Sequence, residues 1–405
     1  MRDLADLANR RCVLAPPEPM LHTPRLDADR REVMQRFAQR IILATVLALG
    51  AGAVNAQDIA IAVVGPVTGS NAALGEQMTR GAKMAVADIN AKSGVLGKKL
   101  DLIIADDACD PKQAVAAAND VVGKKVVFVA GHYCSSSSIP ASAVYNEASV
   151  LQMTPASTNP ALTDDAAKKG WNNVFRACGR DDVQGGIAGK YLADHFKGKR
   201  VAIVHDKTAY GKGIADETKK AMNAAGLKEE MYEAITQGDK DFTALISKMK
   251  QANIDAIYFG GYQTEAGLIV RQARDQGLKA QFIGADALVT EEFWKITGPA
   301  GEGTLMTFPP DPRNVPAAKA VVDKFMAEKP PYNPEGYTLY TYAAIQAFAA
   351  AADKAKSLKV DDLSKALKSM TVETLIGPLS WDKKGDVTDP KYVFYVWKSG
   401  KYAEM

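Results

Sequence analysis

From position 58 onward the chain alternates short β-branched runs with amphipathic stretches of helical period, and this rhythm restricts the folds open to it. "DIAIAVVG" (58–65) and "LDLIIAD" (100–106) read as strands on either side of the helix-like "LGEQMTRGAKMAVADINAKSG". The next helix carries its own start signal, with Asp110 as N-cap, Pro111 at the first helical position and Gln113 at the third. "VVFVAG" (126–131), a helix over roughly 138–148 and "VLQMT" (150–154) continue the pattern. It restarts at "RVAIVHD" (200–206). From there it runs through helix 211–225, strand 230–235, helix 241–252, strand 256–261, helix 264–276 and strand 281–285. Strands apolar along their whole length and separated by helices predict parallel sheets covered on both faces. Two such series, broken by the loop "GRDDVQGG" (179–186), predict an α/β fold of two doubly wound parallel-sheet lobes.

The tail holds a long apolar helix (337–356), a short helix, a hairpin around "TLIGPLSWDKKGD" and a last strand, "YVFYVWKSG". These pieces complete lobes already begun. They imply chain crossings near 178, 308 and 385, a multi-crossing hinge over a cleft. The expected division is 57–178 plus 309–384 for the first lobe and 179–308 plus 385–405 for the second.

The N-terminal region stands apart. Residues 34–56, "MQRFAQRIILATVLALGAGAVNA", combine basic Arg36 and Arg40, an apolar run and the small-residue site Val54-Asn55-Ala56. This is the pattern of a secretory signal peptide, with cleavage expected before Gln57 and the mature chain in the periplasm. The apolar run is about 14 residues, short of the ~20 that a spanning helix needs, so no membrane insertion of the mature chain is expected. Residues 1–33 have mixed charge and prolines clustered in "APPEP"; they are expected to be an over-extended N-terminus, with Met34 placed as the initiator. The 405-residue chain has a formal net charge of only +3, and no Lys/Arg-rich segment interleaves with aromatics, so nucleic acid is not an expected partner. A monomer is expected.

The motifs of common chemistries are missing from the sequence. A serine hydrolase on an α/β sheet needs Gly-x-Ser-x-Gly, and His132, three positions before the serine run 135–138, is not in triad geometry. Gly50-Ala51-Gly52 mimics part of a dinucleotide fingerprint but falls inside the signal region, and no P-loop, HExxH or EF-hand pattern occurs. No Cys-x-x-Cys or His/Cys cluster suggests zinc. Neither cofactor nor metal, and no enzymatic activity, is expected. Export makes a disulfide permissible. Cys109 and Cys134 each follow a strand-like run that adjacent parallel strands could bring together, which leaves Cys178 as a buried free thiol.

Doubly wound sheets place ligands at loops on the C-terminal ends of their strands. In the first series those loops carry hydroxyls: Thr68 and Ser70, the serines 135–138, and Ser157-Thr158. Hydroxyls and free N–H groups at a helix start favour an anion such as a carboxylate. The second series offers Tyr210, Tyr262 and Asp286, which suit an ammonium group. Each has a plainer reading: serines as helix caps, Asp286 as the cap of a helix over 290–297, tyrosines as surface. Taken together, opposite polarities across one cleft favour a zwitterion.

Several stretches also resemble a known family. "VADINAKSGVLGKKL", "DDACDPKQAVAAAN", "GHYCSSS", "TPAST", "AIVHDKTAYGKG", "YFGGYQTEAGLIVRQAR" and "GPLSWDKKGD" span roughly 58–398. As a set they are similar to the leucine/isoleucine/valine-binding periplasmic proteins of branched-chain amino-acid ABC importers. The resemblance implies the type I periplasmic binding protein fold. It implies capture of an amino acid (leucine, isoleucine, valine or also phenylalanine) and delivery to the membrane permease of an ABC importer. It further implies that Ser135, Ala156 and Thr158 hold the ligand carboxylate, that Tyr210, Tyr262 and Asp286 hold its ammonium, and that Cys109 and Cys134 form a disulfide. Leu74 and Tyr133 depart from the family pattern. Relatives place an aromatic at the first and a leucine at the second, and often a longer Glu at the 286 position. The alternative is a related two-lobe binding protein for another amino acid, an amide or an aromatic acid, in uptake or sensing.

Overall fold

Strands that are apolar on both faces need helices above and below, and the chain supplies them in order. The computed structural model describes residues 57–405; the expected signal peptide (34–56) and over-extended start (1–33) lie outside the described residues. Ile59–Gly65 (β1), Leu100–Asp106 (β2), Phe128–Gly131 (β3), Leu151–Thr154 (β4) and Val174–Arg176 (β5) form one sheet, ordered β2-β1-β3-β4-β5 with every pair parallel. The order reverses at β1, between β2 and β3, which opens a crevice at the C-terminal ends of β1 and β3.

Val201–His205 (β6), Met231–Ala234 (β7), Ala256–Gly260 (β8), Gln281–Gly284 (β9) and Leu305–Phe308 (β10) build the parallel part of a second sheet. Its order reverses at β6, between β7 and β8. Val372–Thr374 (β11) and Gly377–Leu379 (β12) make the expected hairpin. The last strand is two strands: Val393–Lys398 (β13) and Lys401–Glu404 (β14) pair antiparallel with each other, and β13 adds antiparallel to β10. Ser399 and Gly400 turn the chain with φ of 48° and 82°, the positive values a two-residue hairpin turn requires. The second sheet is therefore mixed.

The long helix Thr338–Ala355 returns to the first sheet. It packs on the helix Ala72–Ala91 and on β3, where Phe348 stacks on Phe128 at 4.5 Å.

One expected loop is a helix. "GRDDVQGG" ends in the first turns of Asp181–His195. Its glycines are there for packing: a Cβ on Gly185 would lie 2.8 Å from the Thr218 backbone N, and one on Gly189 2.5 Å from the Thr218 carbonyl. These glycines let the helix Ala209–Ala224 approach backbone to backbone. The helix expected from 138 also begins earlier, at Ser135, so the serine run forms its first turn.

Candidate ligand-binding site

Loops at the C-terminal ends of strands in both sheets carry the residues singled out in the sequence. On the first sheet, β3 leads through Cys134, in extended conformation, into Ser135–Glu147. The first N–H groups of such a helix have no partner within it. Ser135 Oγ accepts from the Asn159 N–H at 3.3 Å, and Ser138 Oγ meets Ser157 Oγ at 2.6 Å. Thr158 is fully buried. Burial raises the neighbouring Asp181 carboxyl, and the Thr158 hydroxyl pulls it down without meeting strict hydrogen-bond geometry to any described residue. The Ala156 N–H reaches the Thr154 hydroxyl at 3.2 Å, so it comes to any carboxylate already engaged.

Two devices fix these loops. Cys109 and Cys134 are disulfide-bonded, with Cα atoms 5.5 Å apart, and Cys178 is free and buried. Beside the bridge, buried His132 is held between the Asp107 carboxylate at Nδ1 (2.6 Å) and the Tyr145 hydroxyl at Nε2 (2.8 Å). Both ring nitrogens are thus turned away from the serine hydroxyls. Asp107 also accepts from the Cys109 N–H at 2.8 Å, which makes the bridge and the His132 network a single device.

The second device is Arg176, wholly buried at the end of β5. Its guanidinium donates to the carbonyls of Ser157 and Asn159, the latter at 2.6 Å, and so sets the strip that carries Thr158. Asp386 accepts from Arg176 Nε at 2.8 Å. Burial alone would raise the Asp386 carboxyl, but the Arg176 and Arg180 guanidiniums bring it below its usual range.

On the second sheet, Thr208 caps Ala209–Ala224 by accepting from the Gly211 N–H at 2.9 Å, which puts Tyr210 in the first turn after β6. Tyr262 sits at the N-cap of Gln263–Asp275, after β8. Their rings lie 5.1 Å apart and both are buried, which rules out the surface reading. The Tyr262 hydroxyl has no partner among the described residues. Asp286 opens a single 3-10 turn after β9, and the cap of the helix Glu291–Thr297 is Thr290 instead.

Asp286 is 3% exposed, and each of its oxygens accepts a phenolic hydrogen bond: Oδ1 from Tyr210 at 2.9 Å, Oδ2 from Tyr337 at 2.7 Å. Burial pushes this carboxyl above its ordinary range, against the pull of the Tyr337 and Tyr210 hydroxyls. Among the described residues no basic side chain forms an ion pair with it, and none is among the main influences on its carboxyl. Its charge is felt by Tyr133 and by Asp181, whose N–H donates to the Thr158 carbonyl at 2.9 Å. Asp181 thus connects the acidic side to the strip that carries Thr158.

Leu74 and Tyr133 are both buried, Tyr133 edge-on to the Tyr337 ring at 5.6 Å. The two sets of loops touch directly. Gln263 Nε2 and Thr264 Oγ1 donate to the Ser70 carbonyl (3.2 and 3.1 Å), and Asn159 Nδ2 to the Ala209 carbonyl (2.6 Å). Sequence reasoning missed Tyr337 and Arg176. Tyr337 lay in "EGYTLYTY" as the start of an apolar helix, and nothing local marks its hydroxyl as facing an acid 51 positions away.

The periplasmic binding protein family matches residues 58–401. The "Leu/Ile/Val-binding protein homolog 1" of Brucella melitensis is 48% identical over 361 residues, covering 89% of this chain and 95% of that protein. An "Amino acid binding protein" of Pseudomonas aeruginosa is 49% identical over 352 residues, covering 86% of this chain and 92% of that one. Among solved structures, the branched-chain amino acid transporter substrate binding protein LivJ of Streptococcus pneumoniae, in complex with isoleucine, superposes with a TM-score of 0.77. It is 28% identical, over 86% of this chain and 99% of its own.

Proposed function

We infer that this chain, which belongs to the periplasmic binding protein family, captures branched-chain amino acids between two lobes for an ABC importer. The observation that carries the ligand class is Asp286, a buried carboxyl that accepts from two phenols and has no ion-pair partner among the described residues. A buried charge is strongly unfavourable unless paired, and the ammonium of an α-amino acid supplies the pair. Its carboxylate goes to Ser135, Thr158 and the helix start at 135, and its side chain lies along Leu74 and Tyr133. Tyr210 and Tyr262 flank the ammonium. The site binds without turnover.

The lobes are expected to divide at 57–178 plus 309–384 against 179–308 plus 385–405, so that ligand contacts to both sides favour the closed arrangement. Hinge closure around ligand is the behaviour already described for periplasmic binding proteins. The closed form then docks on the membrane permease. Residues 34–56 direct the chain to the periplasm, and N-terminal sequencing of exported protein should begin at or near Gln57; an intact "MRDLADL" start would refute this.

Calorimetric titration tests the zwitterion requirement. Leucine, isoleucine and valine should bind, whereas 4-methylpentanoate and isoamylamine, which each lack one of the two charges, should bind far more weakly. Equal binding of 4-methylpentanoate would remove Asp286 from the site.

A further inference from the structure

The ammonium side of the cleft has a third member, supplied from the opposite side. Tyr337 precedes the helix Thr338–Ala355, which packs on the first sheet, and its backbone N–H donates to Gln77 Oε1 at 2.9 Å. Gln77 belongs to the helix Ala72–Ala91, so Tyr337 is anchored at the base of the first-sheet layer. Its ring is wedged edge-on among Phe308, Tyr340 and Tyr133, at 5.1, 5.4 and 5.6 Å. From that fixed position the hydroxyl donates to Asp286 Oδ2, on the turn after β9 of the second sheet. Tyr210, which serves Oδ1, stands on the same sheet as Asp286 and spans nothing.

We propose that Tyr337 is a positioning residue, whose hydroxyl aims and charges Asp286 from across the cleft and so links the ammonium site to closure. The hydrogen bond exists only when the two sides are together, and it favours the ionised carboxylate, the form an ammonium needs. Burial keeps the Tyr337 phenol protonated and able to donate. Around Asp286, the phenols of Tyr133, Tyr210, Tyr258, Tyr262 and Tyr392 and the thiol of Cys178 are all pushed up by burial. Asp181 is the other carboxyl that feels its charge, and burial pushes it up as well. Glu335, two residues before Tyr337 and felt by Tyr133, is pushed by burial up to about 7, Asp206, felt by Tyr262, up to about 6, and the Arg176 guanidinium acts on Asp181. The inference rests on the proposed ammonium role of Asp286.

The test is leucine titration of the parent, Tyr337→Phe, Tyr340→Phe and Asp286→Asn between about pH 4 and about pH 8. Tyr337→Phe keeps the ring and loses one hydrogen bond to a charged group. Affinity should fall about tenfold to a hundredfold at neutral pH. The pH below which binding weakens should move upward, because the carboxyl has lost a donor that held it down. Tyr340→Phe, which alters a ring neighbour without touching Asp286, should change neither. Unchanged affinity and pH profile in Tyr337→Phe, or an identical change in Tyr340→Phe, would overturn the proposal while leaving the site intact. Parent-like binding by Asp286→Asn would overturn the site reading itself.

Discussion

Asp286, the centre of the proposed site, is also a liability to the unliganded fold. Folding buries its carboxyl and raises it above its unfolded value. A carboxyl raised in this way favours the folded state while protonated, and that contribution disappears as pH rises through the folded value. At neutral pH the ionised group therefore weakens the unliganded protein until an ammonium arrives. Asp286→Asn should accordingly raise the melting temperature of the unliganded protein at neutral pH, with the gain shrinking on acidification. Leucine should no longer shift that melting temperature; a ligand shift equal to the parent's would contradict the role. Asp286→Ala removes one partner of a buried charged pair and should weaken leucine binding by about 2–5 kcal/mol. Thr158→Ala removes a hydroxyl that faces the ligand carboxylate, for an expected loss of about 1.5–3 kcal/mol in the same titration.

Among the elements, the pair Asp181–His195 and Ala209–Ala224 matters most, since it carries Asp181 and Tyr210 to the cleft together. Their closeness depends on glycines with no room for a methyl group. Gly189→Ala forces a Cβ to 2.5 Å from the Thr218 carbonyl, and should destabilise the protein by about 1–3 kcal/mol in chemical denaturation. Gly186→Ala, one turn earlier on the same helix, meets nothing within 4 Å and should be neutral or stabilising by up to about 1 kcal/mol. Equal effects would mean that helix propensity, not close packing, sets the pair. The disulfide acts on a different element. It closes a separation of 25 residues around β3 and, with His132 and Asp107, fixes the start of the serine helix.

On the scale of the whole molecule, closure rests partly on contacts that no ligand touches. Gln263 and Thr264, after β8 of the second sheet, both donate to the Ser70 carbonyl, after β1 of the first, and the Thr264 bond is exposed. Thr264→Val deletes one such bond and favours the open arrangement. Leucine affinity should fall by about 0.5–1.5 kcal/mol, the net value of a hydrogen bond, without change in the ranking of leucine, isoleucine and valine. Small-angle scattering should show a smaller fraction of compact molecules at subsaturating leucine than in the parent. A changed ranking would instead place Thr264 against the ligand side chain.

The β-branched runs and their spacing determined the α/β class, and the capping signal at Asp110 marked a helix start that the structure keeps, with the Lys112 and Gln113 N–H groups bonded to its carboxylate. These were legible because strand and helix periods are local, written within a few residues of one another. That the hydroxyl loops and Asp286 stand just after strands was legible for a related reason: it follows from the strand runs themselves, and strand ends are where such sheets gather ligands. "GRDDVQGG" misled because glycine means a turn to local reading, whereas Gly185 and Gly189 answer to a helix that arrives from elsewhere. The antiparallel end of the second sheet was hidden too, since pairing direction belongs to two strands and not to one. Tyr337 and Arg176 were beyond reach for the deepest reason. Their roles lie in hydrogen bonds to partners 51 and 210 positions away, and only the assembled fold brings those atoms within 3 Å of each other.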